Sequence, residues 1–107
     1  MEDKKQFLDK VDNIALSARN ELIDLIIDSL FKDNKVDGAE IKLDEPIELG
    51  GADSICKYDY YITHFKIYNG VNGEWLLDFY DEVEYVWDTT CLLTFNELYE
   101  ICACLNN

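Results

Sequence analysis

The sequence has little proline, glycine or histidine, with one proline, five glycines and one histidine among 107 residues. This scarcity excludes collagen-like, proline-rich and low-complexity chains. No apolar run approaches the roughly 18 residues of a membrane span, because the longest candidate, residues 22–31, contains Asp24 and Asp28. The charged first residues also lack the apolar segment of a secretion signal. We therefore expect a cytoplasmic protein that does not bind membranes.

Basic residues are scarce too, and none follows Lys66. The chain has 23 acids and 9 bases, which gives a formal net charge of −14. Residues 67–107 hold eight of these acids and no lysine or arginine. Nucleic acids and anionic membranes bind to positive surfaces, so direct binding to either is excluded. The partner that this composition favours is a basic protein.

Four cysteines raise the question of disulfides or zinc: Cys56, Cys91, Cys102 and Cys104. Without an export signal, free thiols are expected rather than disulfides. Cys102 and Cys104 lie two residues apart in a predicted helix, where side chains at that spacing point about 200° apart and cannot share a metal. We expect no metal and no cofactor.

Motifs for catalysis are absent from the sequence. His64 stands in a predicted strand without a nucleophile motif around it, and no glycine-rich phosphate loop, CxxC pair or HExxH segment occurs. The acidic stretch 78–88 has no glycine for the sharp turn of a calcium loop. The chain is therefore predicted not to be an enzyme.

The sequence predicts one helix near each end of the chain. Apolar residues repeat at three- and four-residue steps over residues 4–32, which predicts a long helix. They are Phe7, Val11, Ile14, Ala18, Leu22, Leu25, Ile26 and Leu30. Thr94 and Glu97 match a capping box, so a second helix is predicted to start there.

Between the helices, apolar and polar residues alternate as in strands. Strands are predicted at residues 40–44, 55–68, 75–80 and 83–87, with Pro46 marking an edge or a loop. Two Asn-Gly steps in residues 69–73 predict a hairpin. We predict one α+β domain over residues 1–107, a three- or four-stranded antiparallel meander with both helices on one face. The predicted core is Leu22, Leu25, Ile26, Phe65, Ile67, Leu77, Phe79, Leu98 and Ile101.

Aromatic residues alternate with acids in the half of the chain that has no base. Tyrosine and tryptophan are favoured interface anchors, and acids around them speed association with a basic partner. The predicted partner-binding face is Glu74, Asp78, Tyr80, Asp81, Glu82, Glu84 and Tyr85. On the first helix, Glu21, Asp24 and Asp28 share a second acidic face, on which carboxylates can imitate backbone phosphates.

These features predict a small, acidic, non-enzymatic binding protein that inhibits a basic, nucleic-acid-binding enzyme. Counter-defence proteins that block nucleases, by nucleic-acid mimicry among other means, belong to this class. Two alternatives stay open: an immunity protein that neutralises a toxin, and a small enzyme or metal-binding domain that uses the carboxylates of residues 78–88. The sequence leaves the identity of the partner and the oligomeric state open.

Overall fold

The fold is a four-stranded antiparallel meander that carries a long helix and a short helix on one face. A computed structural model describes residues 4–50 and 59–106. Its elements are α1 (Lys4–Phe31), β1 (Glu40–Leu49), β2 (Tyr60–Asn69), β3 (Trp75–Asp81), β4 (Val86–Thr89), a 3₁₀ turn (Thr90–Leu92) and α2 (Phe95–Leu105). The strand order β1-β2-β3-β4 confirms the predicted α+β meander. The first four residues of the strand predicted at 55–68 lie outside the described residues.

Only the second half of α1 enters the core. Ile26, Ile27 and Phe31 are buried there, whereas every residue from 4 to 17 is exposed. The helix therefore extends past the sheet and α2, and the longest dimension of the molecule, including this helix, is 52 Å.

The prediction that Leu25 is buried is wrong, because 56% of its surface is exposed. Successive helical residues are about 100° apart, so the sector that buries Ile26 and Ile27 turns Leu25 away from the sheet. The apolar pattern of α1 is thus two faces rather than one stripe. One face packs in the core, and the other, which includes Ile14 and Leu25, is exposed.

Two irregularities in strand register explain where the strands differ from prediction. β1 continues through Pro46 to Leu49, and its register with β2 shifts between Lys42 and Ile47. A proline is tolerated there because β1 is an edge strand. A second shift, between Ile62 and His64, returns Ile62 to the core side although simple alternation assigns it to the outer face.

The helix-facing side of the sheet forms the core with α2. The predicted residues Phe65, Ile67, Leu77 and Phe79 are buried, together with Leu98 and Ile101 of α2. The α2 capping box is confirmed: Thr94 Oγ1 accepts the Glu97 N–H at 3.2 Å, and Glu97 Oε1 accepts the Thr94 N–H at 2.8 Å.

Arg19 joins α1 to the start of α2. Its Nη2 donates to the carbonyl oxygens of Cys91 at 2.9 Å and Leu93 at 2.7 Å. These two carbonyls lie in and just after the 3₁₀ turn, so the guanidinium holds the connection between β4 and α2 against the long helix.

Adjacent residues of α1 provide a test of this packing. We expect Ile26→Ala to lower the free energy of unfolding by about 2–5 kcal/mol, because it removes a fully buried side chain. Leu25→Ala should change it by less than about 1 kcal/mol, since Leu25 contributes little to the core. Urea denaturation of both variants measures the difference, and equal losses would contradict the two-face description of α1.

Candidate functional site

The connection between β3 and β4 projects acidic and apolar side chains into solvent. Residues 82–85, here called the acidic turn, form this connection. Glu82, Val83, Glu84 and Tyr85 are all exposed, and Tyr85 is 77% exposed. The strand predicted at residues 83–87 is therefore wrong in its first three residues, because β4 begins at Val86.

Asp81 holds the base of the acidic turn. Its carboxylate is only 1% exposed, and Oδ1 accepts the N–H groups of Tyr61 at 2.9 Å and Val83 at 3.0 Å. The Glu82 N–H also donates to the Tyr61 carbonyl at 2.8 Å. Backbone N–H groups that water does not reach need acceptors, and Asp81 supplies one for β2 and one for the acidic turn. It is thus a structural residue and does not lie on the predicted binding face.

Tyr85 adopts a backbone conformation that is uncommon for a bulky residue. Its φ of 57° lies in the left-handed region, which costs free energy for side chains that carry a Cβ. The adjoining β4 and the contacts of Asp81 fix the chain on both sides of the turn. An exposed aromatic ring therefore lies on the same four-residue turn as the exposed Glu82 and Glu84.

The sheet face opposite the helices carries an aromatic cluster that includes the predicted Tyr80. The Tyr80 ring lies 5.8 Å from His64 and 5.4 Å from Trp87, between centroids, and Lys66 Nζ lies 4.9 Å from the centre of Trp87. His64 Nδ1 is also 2.8 Å from Thr63 Oγ1. The sequence could not reveal this cluster, because it depends on the register of three strands. Tyr80 is half-buried and engaged within the protein.

Asp78 is engaged on the same face. It accepts a hydrogen bond from the Tyr68 hydroxyl at 3.0 Å. Burial raises the pKa of Tyr68 above its usual value, and the bond to Asp78 and the charge of Asp78 add to this shift. Tyr68 therefore stays a neutral donor at physiological pH.

Two other predicted acids, Asp24 and Glu74, line one cleft at the opposite end of β3. A cleft of about 330 Å³ opens between α1 and the start of β3, and its lining includes Asp24, Tyr68, Glu74 and Trp75. At about 3.3 Å per residue, the seven residues of β3 place this cleft about 20 Å from the acidic turn. Glu74 and Asp24 thus line the same cleft, and Glu74 is separated from the predicted acids of the acidic turn.

The second predicted acidic face is present on α1. Glu21, Asp24 and Asp28 are all exposed. Asp28 forms an ion pair with Lys35, which follows the helix, so part of its charge is compensated. Glu21 lies within the exposed apolar face of the helix, and Asp24 lies beside it.

The described cysteines are free, and the described residues do not group into a metal site. Cys91, Cys102 and Cys104 are free thiols, and Cys56 lies outside the described residues. Within residues 4–50 and 59–106, no three His, Cys, Asp or Glu side chains are grouped as metal ligands. Neither helix in this part of the chain is long and apolar enough to cross a membrane.

Comparison with known proteins gives no relative from which a function can be transferred. No protein-family model, curated protein or solved structure matches this chain.

The role of Asp81 can be tested against its exposed neighbour. Asp81→Ala leaves two backbone N–H groups without their acceptor, so the free energy of unfolding should fall by about 1–3 kcal/mol. Glu82→Ala should change it by no more than about 0.5 kcal/mol. Thermal and urea unfolding measure both. A harmless Asp81→Ala substitution would show that the turn does not depend on this carboxylate.

The thiols of α2 give a second test. Burial raises the pKa of the Cys102 thiol, and its S–H lies 3.8 Å from the Leu22 carbonyl oxygen. Thiolates are the reactive form, so iodoacetamide at about pH 8 should modify Cys102 more slowly than the exposed Cys104. Peptide mass spectrometry over time measures both rates. Equal rates would contradict the burial of Cys102.

Proposed function

We propose that this protein is a non-enzymatic inhibitor whose acidic turn binds the basic, nucleic-acid-binding surface of a partner enzyme. The observation that carries the proposal is the exposed Tyr85 ring, which shares with Glu82 and Glu84 a turn whose base is fixed by the buried Asp81. Tyrosine on a rigid loop is a favoured interface anchor. Glu82 and Glu84 supply the charge that a lysine- and arginine-rich groove attracts.

The distribution of charge supports the same partner. Of the eight acids that follow Lys66, only Asp81 and Glu97 are buried, and the other six are at least partly exposed. No base follows Lys66 in the sequence to neutralise them. Such a surface raises the rate of encounter with a positively charged protein.

The rigidity of the turn supports tight binding. Ordering a loop on binding costs free energy, and a loop that is already held in its bound form avoids much of this cost. The bonds from Asp81 to Tyr61 and Val83 provide that order before binding. The acids of the turn would then occupy positions that the partner offers to phosphates.

In this proposal the protein acts in the cytoplasm, where free thiols such as Cys91 and Cys104 stay reduced. The partner is then an intracellular nuclease or another enzyme that acts on nucleic acid. An immunity protein for a nuclease toxin would use the same acidic surface, and the identity of the captured enzyme separates the two roles.

The test compares two variants with the same change in total charge. Glu82→Lys with Glu84→Lys alters the acidic turn, whereas Glu74→Lys with Glu100→Lys alters two acids outside it. Tagged wild-type protein first captures its partner from host lysate at low salt, and the purified partner is then assayed for nuclease activity. We expect the first variant to lose inhibition through slower association and the second to retain most of it. Equal effects would contradict the placement of the site.

Substitution of Tyr85 and variation of the salt concentration test the same binding site in two further ways. Tyr85→Ala should speed dissociation, because loss of an anchor acts mainly on the off-rate. Tyr99→Ala removes another exposed tyrosine from residues 67–107, here called the base-free half, and is the matched control. Inhibition by the wild type should weaken as salt rises, since screening acts over about 10 Å at 0.1 M. The proposal would be contradicted if the partner's nuclease activity stayed equally inhibited by every variant and at every salt concentration.

A further inference from the structure

The exposed face of α1 carries an apolar stripe with the spacing of a coiled coil. Its positions alternate by four and three residues: Phe7, Val11, Ile14, Ala18, Glu21 and Leu25. The four large apolar members, Phe7, Val11, Ile14 and Leu25, are all exposed, and Ile14 is 70% exposed. Glu21 is the one polar member of the series.

The helical state of this segment needs an explanation. Residues 4–17 continue the packed half of α1 but are exposed at every position, so packing within one copy does not stabilise them. Most helical stability in proteins comes from packing of an apolar face. A surface that covers the stripe would supply it.

The charges of α1 are divided between its two halves. The first half holds Lys4, Lys5 and Lys10 with Asp9 and Asp12, a net charge of +1, and the second half holds Glu21, Asp24 and Asp28 with Arg19, a net charge of −2. Two such helices side by side attract each other when they are antiparallel, because each basic half meets an acidic half. In a parallel pair, like charges would meet.

We propose that α1 packs antiparallel against α1 of a second copy of the protein along this stripe. In the register that aligns the two stripes, Ile14 faces Ala18 of the second copy and Phe7 faces Leu25 of the second copy. At the flank of the seam, Lys10 approaches Asp24 of the second copy. Glu21 falls opposite Val11, and a single polar residue in such a seam fixes the register at some cost in stability.

A second copy fits this surface because α1 itself contains both the apolar positions and the oppositely charged halves that the surface needs in its partner. After a two-fold rotation Phe7 meets Leu25 and Ile14 meets Ala18, only Val11 meets a polar residue, and the basic half meets the acidic half. The antiparallel arrangement also keeps the two acidic bodies at opposite ends of the helix pair. This separation limits repulsion between chains that each carry a net charge of −14.

Sedimentation equilibrium of the whole 107-residue chain tests the proposal. We expect the mass to rise with concentration from 12.5 kDa to about twice that value. Ile14→Asp should abolish dimerisation. Leu16→Asp is the control, because Leu16 is 53% exposed on the same segment but lies about 200° around the helix from Ile14. Circular dichroism and melting verify that both variants keep the folded core, which neither residue enters.

A charge exchange tests the register. Lys10→Glu or Asp24→Lys alone should weaken the dimer by about tenfold, since each creates two repulsive pairs. The double variant should restore most of the affinity. Within one chain these residues lie about 21 Å apart along the helix, so a restoration can come only from contact between copies.

Three outcomes would overturn the proposal. The first is a wild-type protein that stays monomeric at every concentration, which would assign the stripe to another partner. The second is a dimer that Ile14→Asp and Leu16→Asp affect equally. The third is a double charge variant that is no better than its parents.

Discussion

The length of α1 is the constraint on which the rest of this structure depends. A 28-residue helix is about 42 Å long, whereas the longest strands have ten residues and span about 33 Å. A four-stranded sheet and an 11-residue second helix cannot cover such a helix on all sides. The core consequently takes the half that holds Ile26 and Ile27, and the first half remains outside. The elongated shape and the exposed stripe both follow from this mismatch.

The acidity of the chain has two separate uses in the structure. Asp81 and Glu97 are buried and accept backbone N–H groups, one below the acidic turn and one at the start of α2. The remaining acids of the base-free half lie at least partly in solvent. Net charge alone does not distinguish a carboxylate that holds a turn from one that meets a partner. That distinction decides which residues belong to the candidate site.

Local patterns predicted the elements well, because the signals that set them are local. The capping box at Thr94 and Glu97 and the hairpin at residues 69–73 depend on neighbours within a few positions, and both are present. The errors arise where distant residues decide. Ile62 is buried through a shift in strand register, and Leu25 is exposed because the core selects one sector of the helix. Asp81 is buried because a strand twenty residues away needs an acceptor.

The two surfaces proposed here are mechanically independent. The acidic turn is held by β2, β3 and the carboxylate of Asp81, none of which belongs to the exposed half of α1. A change to Ile14 therefore leaves the turn intact, and a change to Glu82 leaves the stripe intact. An antiparallel dimer would carry two acidic turns on one particle. A partner with two basic sites within reach would then bind more tightly than either turn alone allows, through effective concentration rather than through new contacts.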